Sequence, residues 1–280
     1  IASIFYGDML VALRSQTYPY EDRRGDADAM TEKWISTIQG WIRDDKNYSA
    51  HDMKKRFYDI AADYATIPIT RVPKVKVGVV GEIYVKYSPL GNNDLEKFLE
   101  SQDCEVNLPG LMGFVEYCVA NYRLDIDLYG GNKLVAGGAD KFLGWLDSIG
   151  CASYDAMRKY GFYAPGSFRE LMKKPEGIIS LGAKMGEGWL LTAEMIELVE
   201  GGYGNIVCLP NHIVGKGMIN KIRALHPDAN ITPVDYDPSA TRVNQENRIK
   251  LMLAVAREKL DTPIAPIRPL TAEELAGGAP

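Results

Sequence analysis

The chain has 280 residues, 46% of them apolar, which is enough for the core of one large domain or two small ones. Its net charge of −5, with acidic and basic residues mixed, argues against a nucleic-acid partner, because that contact needs clustered lysine and arginine. No apolar run approaches the roughly 20 residues that cross a bilayer, and no secretory leader is evident, so no membrane partner is expected. Four cysteines are too few for a disulfide scaffold, which predicts reduced thiols in a cytoplasmic protein.

The first part of the chain, residues 1–72, is predicted to be helical. An apolar stripe at helical spacing follows acidic residues between Asp26 and Ile42, and a second helix is predicted over Asp52–Tyr64. Pro68 and Pro73 end this region, because the residue before a proline avoids the α conformation.

The rest of the chain alternates between short β-branched segments and amphipathic segments. Strands are predicted at residues 75–81, 104–108, 177–181, 205–209 and 230–235, and helices at residues 95–99, 189–200, 213–225 and 243–260. This alternation predicts an α/β fold whose parallel sheet is built from Rossmann- or flavodoxin-like βα units. Pro233 places the last strand near an edge of the sheet.

The predicted domain organisation follows from these segments. Residues 1–72 form a helical segment, and residues 73–262 form the α/β domain, with a mostly helical insertion at about 111–175. Residues 263–280 are rich in Pro, Ala and Glu and are predicted to be an extended tail.

Ligands of open α/β sheets bind beyond the carboxyl ends of the strands, so the loops at this edge are the candidate site. These loops are residues 82–89, 186–189, 208–217 and 235–239. Each leads into a helix N-terminus, which favours an anionic ligand such as a phosphate or a carboxylate. A P-loop would need Gly at Pro210, and a dinucleotide fingerprint would need Gly at Leu191. The G-x-S-x-G, H-E-x-x-H and C-x-x-C motifs are absent from the sequence, which disfavours simple serine-hydrolase and zinc chemistry.

The candidate residues in these loops also have structural explanations. Cys208 ends a predicted central strand and is either a functional thiol or a packing residue. His212 is either a helix cap or an acid–base group, and Glu187 is either functional or a carboxylate favoured by the helix dipole. Asp235 and Asp237 are turn formers or site residues, and Asn244 and Asn247 cap or line the last loop.

The remaining cysteines are predicted to be structural or are unassigned. Cys104 begins a buried strand, and Cys118 lies on an apolar stripe with Phe114 and Val115, so both are expected in the core. Cys151 lies between predicted helices and has no spacing that supports a ligand role.

Several of these segments together resemble the 2-hydroxyacyl-CoA dehydratase and benzoyl-CoA reductase family. The segments are Gly81–Lys86, Gly186–Met195, Leu209–His212, Asp235–Pro238 and Asn244–Leu253. The resemblance extends from about Tyr6 to Leu260 and is greatest to the large proteins in which a CoA-enzyme activase is fused to a dehydratase-like C-terminal region. It implies that this chain, which begins at Ile1 without Met, is the C-terminal part of a longer polypeptide.

The resemblance implies an oxygen-sensitive iron–sulfur protein of anaerobes. In dehydratases of this family, an ATP-dependent activase injects one low-potential electron, and a ketyl radical then permits loss of water from a 2-hydroxyacyl-CoA. The expected partners are therefore a CoA thioester and the activase, with homo-oligomerisation left open. The expected activity is that of a lyase or a related reductase.

The same resemblance assigns roles to residues at the predicted edge. Glu82, Glu187 and His212 are expected to be catalytic, Cys208 to ligate a [4Fe–4S] cluster, and Asn211, Lys216 and Gly217 to bind the cofactor or an anionic group of CoA. A cluster needs three or four thiolates, so its other ligands are expected outside this chain. The family's Gln-Pro-Phe-(small)-Cys stretch is missing before Leu209, so Cys208 corresponds to either of two family cysteines. The alternative function is a non-catalytic docking or electron-relay module associated with the activase.

Overall fold

The structure is a computed structural model that describes residues 1–209, 213–236 and 240–261. His212, Asn211, Asp237 and the predicted tail at 263–280 therefore lie outside the described residues. None of the described helices combines the length and the apolar character needed to cross a membrane.

The N-terminal part of the chain is helical, as predicted. It contains α1 (Ala2–Thr17), α2 (Asp26–Arg43) and α3 (Ala50–Tyr64), with a 3₁₀ turn at Tyr18–Tyr20. The third helix begins two residues earlier than Asp52 because the Ser49 side chain accepts a hydrogen bond from Asp52 N (3.2 Å) and caps the helix.

The sheet contains β1 (Val75–Val80), β2 (Cys104–Asn107), β3 (Asn205–Cys208) and β4 (Asn230–Pro233). All pairings are parallel and the strand order is β2-β1-β3-β4, with Val75 opposite Cys104 and Val77 opposite Asn205. This confirms the predicted α/β class, and the order is that of the first four strands of flavodoxin-like sheets. Strand β4 lies at an edge, where Pro233 needs no ladder partner for its nitrogen.

The prediction of a strand at residues 177–181 is wrong. Gly177 has a φ of +77°, and the amides of Ile178 and Ile179 both donate to Pro175 O (3.0 and 3.1 Å), so the chain turns here. Ile178 and Ile179 pack against the buried core from these turns, which explains an apolar run that is not part of the sheet.

The helices between the strands complete the α/β architecture. They are α4 (Ile83–Lys86), α5 (Leu95–Ser101), α6 (Leu111–Tyr129), α7 (Lys133–Lys159), α8 (Phe168–Leu171), α9 (Gly188–Glu200), α10 (Ile213–Leu225) and α11 (Arg242–Asp261), with a 3₁₀ turn at Met185–Glu187. A break at Gly130 separates α6 from α7.

Helices cover both faces of the sheet, because alternate strand residues point to opposite sides. Val77 and Val79 pack with Leu99 of α5 and Leu253 of α11 on one face. On the other face, residues of α9 and α10 pack with Ile206. Gly78 permits the close approach of α9, since a Cβ built on it would lie 2.7 Å from Leu198 Cδ1.

A separate core joins the N-terminal helices to the helical insertion. Phe5 and Leu13 of α1 and Phe57 of α3 are buried together with Leu146 and Ile149 of α7. The helical segments at 1–72 and 111–175 therefore share one hydrophobic core, while the domain boundaries themselves stay predictions.

Glu105 of β2 connects the helical part to the sheet. Its side chain is 1% exposed. Its carboxylate accepts from Tyr20 Oη (2.5 Å), from Tyr203 Oη and from Lys76 Nζ (3.3 Å). A buried carboxylate is tolerated because these donors replace its hydration.

We expect Glu105→Ala to lower the free energy of unfolding by about 2–5 kcal/mol, because two tyrosine hydroxyls and an ammonium group lose their common acceptor. Tyr20→Phe, which removes one donor and keeps the acceptor, should cost less. Urea unfolding followed by circular dichroism measures both. Equal losses for the two variants would show that Glu105 does not organise this contact.

Candidate functional site

The predicted site lies at the carboxyl edge of the sheet, at the point where the strand order reverses. Chain connections run from β1 to β2 on one side and return to β3 on the other, so the ends of β1 and β3 are the switch point at which such sheets bind ligands. Glu82 lies two residues after the end of β1, and Cys208 ends β3. The structure therefore brings these two predicted residues to the same edge.

The gap between the two strand ends is filled by protein. Leu209 N donates to Val80 O (2.8 Å), which extends the ladder past Cys208. A Cβ built on Gly81 would lie 2.5 Å from Leu209 Cβ, so only glycine fits at this position. A ligand at the switch point must therefore lie beyond Leu209 rather than between the strands.

Cys208 is buried in the hydrophobic cluster beneath this edge. Its side chain is 0% exposed and packs among residues such as Val80, Met195 and Ile222. Burial, and to a smaller extent the nearby Glu194 carboxylate, raises the pKa of the Cys208 thiol to about 12. The thiol is thus protonated at neutral pH, whereas cluster ligation needs a thiolate.

The described residues do not fit an iron–sulfur cluster in this arrangement. No three His, Cys, Asp or Glu side chains among them are placed to hold a metal ion. Cys208 has no set of further ligands around it among the described residues, and its role as a cluster ligand stays a prediction.

The other three cysteines differ in how far they are exposed to solvent. Cys104 is buried, as predicted, and burial raises its pKa to about 11. The prediction that Cys118 lies in the core is wrong, because the buried face of α6 is formed by Met112, Glu116, Tyr117 and Ala120 and Cys118 points away from it. Cys151 is half-buried on α7.

Glu187 joins two of the segments that the sequence singled out. It is the residue before α9, yet its carboxylate makes no capping bond to that helix and instead accepts from Ile83 N of α4 (3.2 Å). Burial raises the pKa of Glu187, and the hydrogen bond from the Ile83 amide lowers it. The carboxylates of Glu194 and Glu82 also raise this pKa, whereas Lys86 lowers it. Glu82 and Glu187 therefore interact electrostatically, while their catalytic role stays a prediction.

A buried ion pair that sequence reasoning missed lies at the centre of this cluster. Lys86 Nζ contacts both Glu194 carboxylate oxygens (3.2 and 3.4 Å), and each side chain is 4% exposed. Burial raises the pKa of Glu194, and Lys86 opposes this rise. The available signal was a charged residue in each of two apolar segments, Ile83–Tyr87 and Trp189–Met195.

A cavity of about 120 Å³ lies beside Lys86. It is lined by the first predicted loop and by the ends of β1 and β2, including Tyr87, Asn92, Val79 and Leu108. Its volume is below that of a typical ligand pocket, so it admits a small group rather than a whole CoA molecule.

The remaining predicted residues lie farther along the edge. Lys216 and Gly217 are exposed near the start of α10, where a helix N-terminus favours an anion. Asn244 and Asn247 are exposed on α11. Gln245, which was not predicted, is buried and joins two loops, since it accepts from Asn93 Nδ2 (2.8 Å) and donates to Asp235 O (2.7 Å).

We expect Lys86→Met and Glu194→Met each to cost about 3–5 kcal/mol of unfolding free energy, because each leaves the other charge buried and unpaired. The double variant should recover much of this loss, since both charges are gone. The exposed pair Lys33–Asp63 (2.6 Å) is the matched control, and its removal should change stability little. Additive losses at Lys86 and Glu194 would contradict the coupling.

Thiol labelling should separate the cysteines by exposure. In the native protein Cys118 should react first with an aromatic disulfide reagent, and Cys208 and Cys104 should react only after unfolding, because a buried thiol is protonated and shielded. Cys118→Ser should remove the fast phase. Rapid native labelling of Cys208 would contradict its burial.

Comparison with known proteins gives no match: no family model, no curated protein and no solved structure is similar to the chain. The resemblance to the dehydratase family therefore stays a prediction from motifs. At the sheet edge, Glu187, Lys86 and Glu194 form the buried charged group that bears on function.

Proposed function

We propose that this chain is an α/β component of a 2-hydroxyacyl-CoA dehydratase-like system, in which ATP-driven low-potential electron transfer acts on a CoA thioester. One observation supports this most. Two of the segments on which the resemblance rests, Gly81–Lys86 and Gly186–Met195, meet at the carboxyl edge through the Glu187–Ile83 hydrogen bond and the Lys86–Glu194 pair. Charged groups brought together from distant segments and desolvated at a strand edge are typical of functional sites.

The chain's own residues would bind and position rather than carry out the redox step. Glu187 and Lys86 fix the loop that follows β1, and Lys216 at the start of α10 offers a positive charge for an anionic group of CoA. An iron–sulfur cluster, when bound in such a system, supplies the electron. Because the described residues do not form a cluster site, we assign its ligands to other residues of the assembly.

The alternative is a docking or electron-relay module without catalytic residues. The burial of Cys208 in an apolar cluster, with its pKa raised to about 12, favours this role over cluster ligation. In such a module the sheet edge would support the activase rather than a substrate.

Iron and acid-labile sulfide content after anaerobic purification distinguishes the two functions. The chain is produced together with its activase, as the unaltered sequence, as Cys208→Ala and as Cys104→Ala, a matched buried strand cysteine. If Cys208 is a ligand, iron should fall in Cys208→Ala and stay in Cys104→Ala.

If both variants contain as much iron as the unaltered chain, neither Cys208 nor Cys104 is a cluster ligand. The proposed cluster-containing system would then stand, with its ligands on other residues. Iron absent from every preparation would contradict the cluster-enzyme function and favour the docking module. The visible spectrum of the same samples checks that any iron belongs to a cluster.

A further inference from the structure

A second cavity lies away from the switch point, between the sheet and the helical core. It has a volume of about 110 Å³ and lies among α1, α6, α7 and α9 at the carboxyl end of β2. Apolar side chains form much of its wall, among them Phe5, Met112, Met157 and Phe168. Such a space suits a ligand of few atoms with an apolar body.

Glu116 of α6 lines this cavity and has no hydrogen-bond partner among the described residues. Its side chain is 96% buried, since the residue is 4% exposed. A buried carboxyl without a partner costs free energy, because nothing replaces its lost hydration. This group therefore points to a ligand that the cavity would hold.

The other carboxyl groups of the cavity have partners in the protein. Asp8 accepts from Leu111 N and Met112 N (2.9 and 2.7 Å) at the start of α6. Glu197 accepts from Gly166 N (3.1 Å), and Glu194 pairs with Lys86. Glu116 differs from all three because no described residue donates a hydrogen bond to it.

The charge of the cavity wall has one sign. Asp8, Glu116, Glu194 and Glu197 line it, and no Lys, Arg or His is among the described residues that do. Burial raises the pKa of Asp8 to about 6, that of Glu197 to about 7 and that of Glu116 to about 8, with Asp147 and Asp8 also raising that of Glu116. A wall that carries four carboxyl groups, and no cationic side chain among the described residues, suits a cation better than an anion.

We propose that this cavity binds a small organic ammonium ion, with Glu116 as its counter-ion and the apolar wall around its hydrocarbon part. The aromatic residues Phe5, Tyr154 and Phe168 line the same space, and a ring face turned toward a cation would attract it. A metal ion fits less well, because the described residues offer no group of three ligands.

Calorimetric titration with n-butylamine tests the proposal, with n-butanol and butyrate as neutral and anionic controls. Butylamine should bind, and the controls should bind at least tenfold more weakly. Glu116→Gln should weaken butylamine binding at least tenfold. Glu96→Gln, which removes a carboxyl of raised pKa outside this cavity, should leave binding unchanged.

A second pair of variants tests the location without changing charge. A Cβ built on Gly113, which lines the cavity on α6, would meet no atom within 4 Å, so Gly113→Leu should fold and fill the space. Gly138→Leu on α7 is the control, since it also replaces an open helical glycine but lies outside the cavity wall. Only Gly113→Leu should abolish butylamine binding.

The pH dependence gives a third readout. Glu116 interacts electrostatically with Asp8 of α1 and with Asp147, Cys151 and Tyr154 of α7, and Glu197 of α9 lines the same cavity. Its pKa of about 8 means that it must lose a proton to pair with the ammonium group. An alkylammonium ion keeps its charge below about pH 10. Affinity should therefore rise from pH 6 to pH 8, and this rise should be smaller in Glu116→Gln.

Three results would each overturn the proposal. They are equal binding of butanol and butylamine, unchanged affinity in Glu116→Gln, and no butylamine binding at about 10 mM. None of these results depends on iron, so the proposal and the proposed function fail or succeed separately.

Discussion

The pairing of Glu194 with Lys86 is the constraint on which the interior of this protein depends. Glu194 lies on α9, which packs against the sheet and is buried along most of its length, so its carboxylate has no access to bulk water. The ammonium group of Lys86 comes from the short helix after β1 and fixes that helix to α9. The cost of desolvating two charges is offset only while they remain in contact, which makes the position of the loop after β1 a condition of folding.

The helix α9 separates two polar regions that differ in their balance of charge. On the side of the sheet edge, Glu194 and Glu187 are matched by Lys86 and by the amide of Ile83. On the side of the helical core, Glu197 has one amide donor, and Glu116 has none within the described part of the chain. The negative charge at the sheet edge is thus balanced by Lys86, whereas no cationic side chain among the described residues lines the cavity at the helical core. For this reason we assign a ligand to the cavity.

The sequence predicts the sheet better than it predicts the polar interior. Segments such as Val75–Val80 combine β-branched residues with flanking Pro and Gly, so local preference and burial agree. Residues 177–181 have the same composition but turn at Gly177, because tertiary packing can bury an apolar run without a ladder. On α6 the apolar stripe through Cys118 was the wrong face, since the buried face contains Glu116. A charged residue inside a core breaks the pattern from which helix faces are inferred, and its partner or lack of one becomes visible only in three dimensions.

The pairing of β1 with β3 has a consequence for how the chain folds. Val77 pairs with Asn205, and the helices α4 to α9 lie between them in sequence, so the central ladder closes a very long loop. During synthesis the edge of β1 that β3 later covers remains open until the whole helical insertion has been made. Assembly of the sheet should therefore be slow compared with helix formation, and until then one edge of Val75–Val80 is open to pairing with another chain.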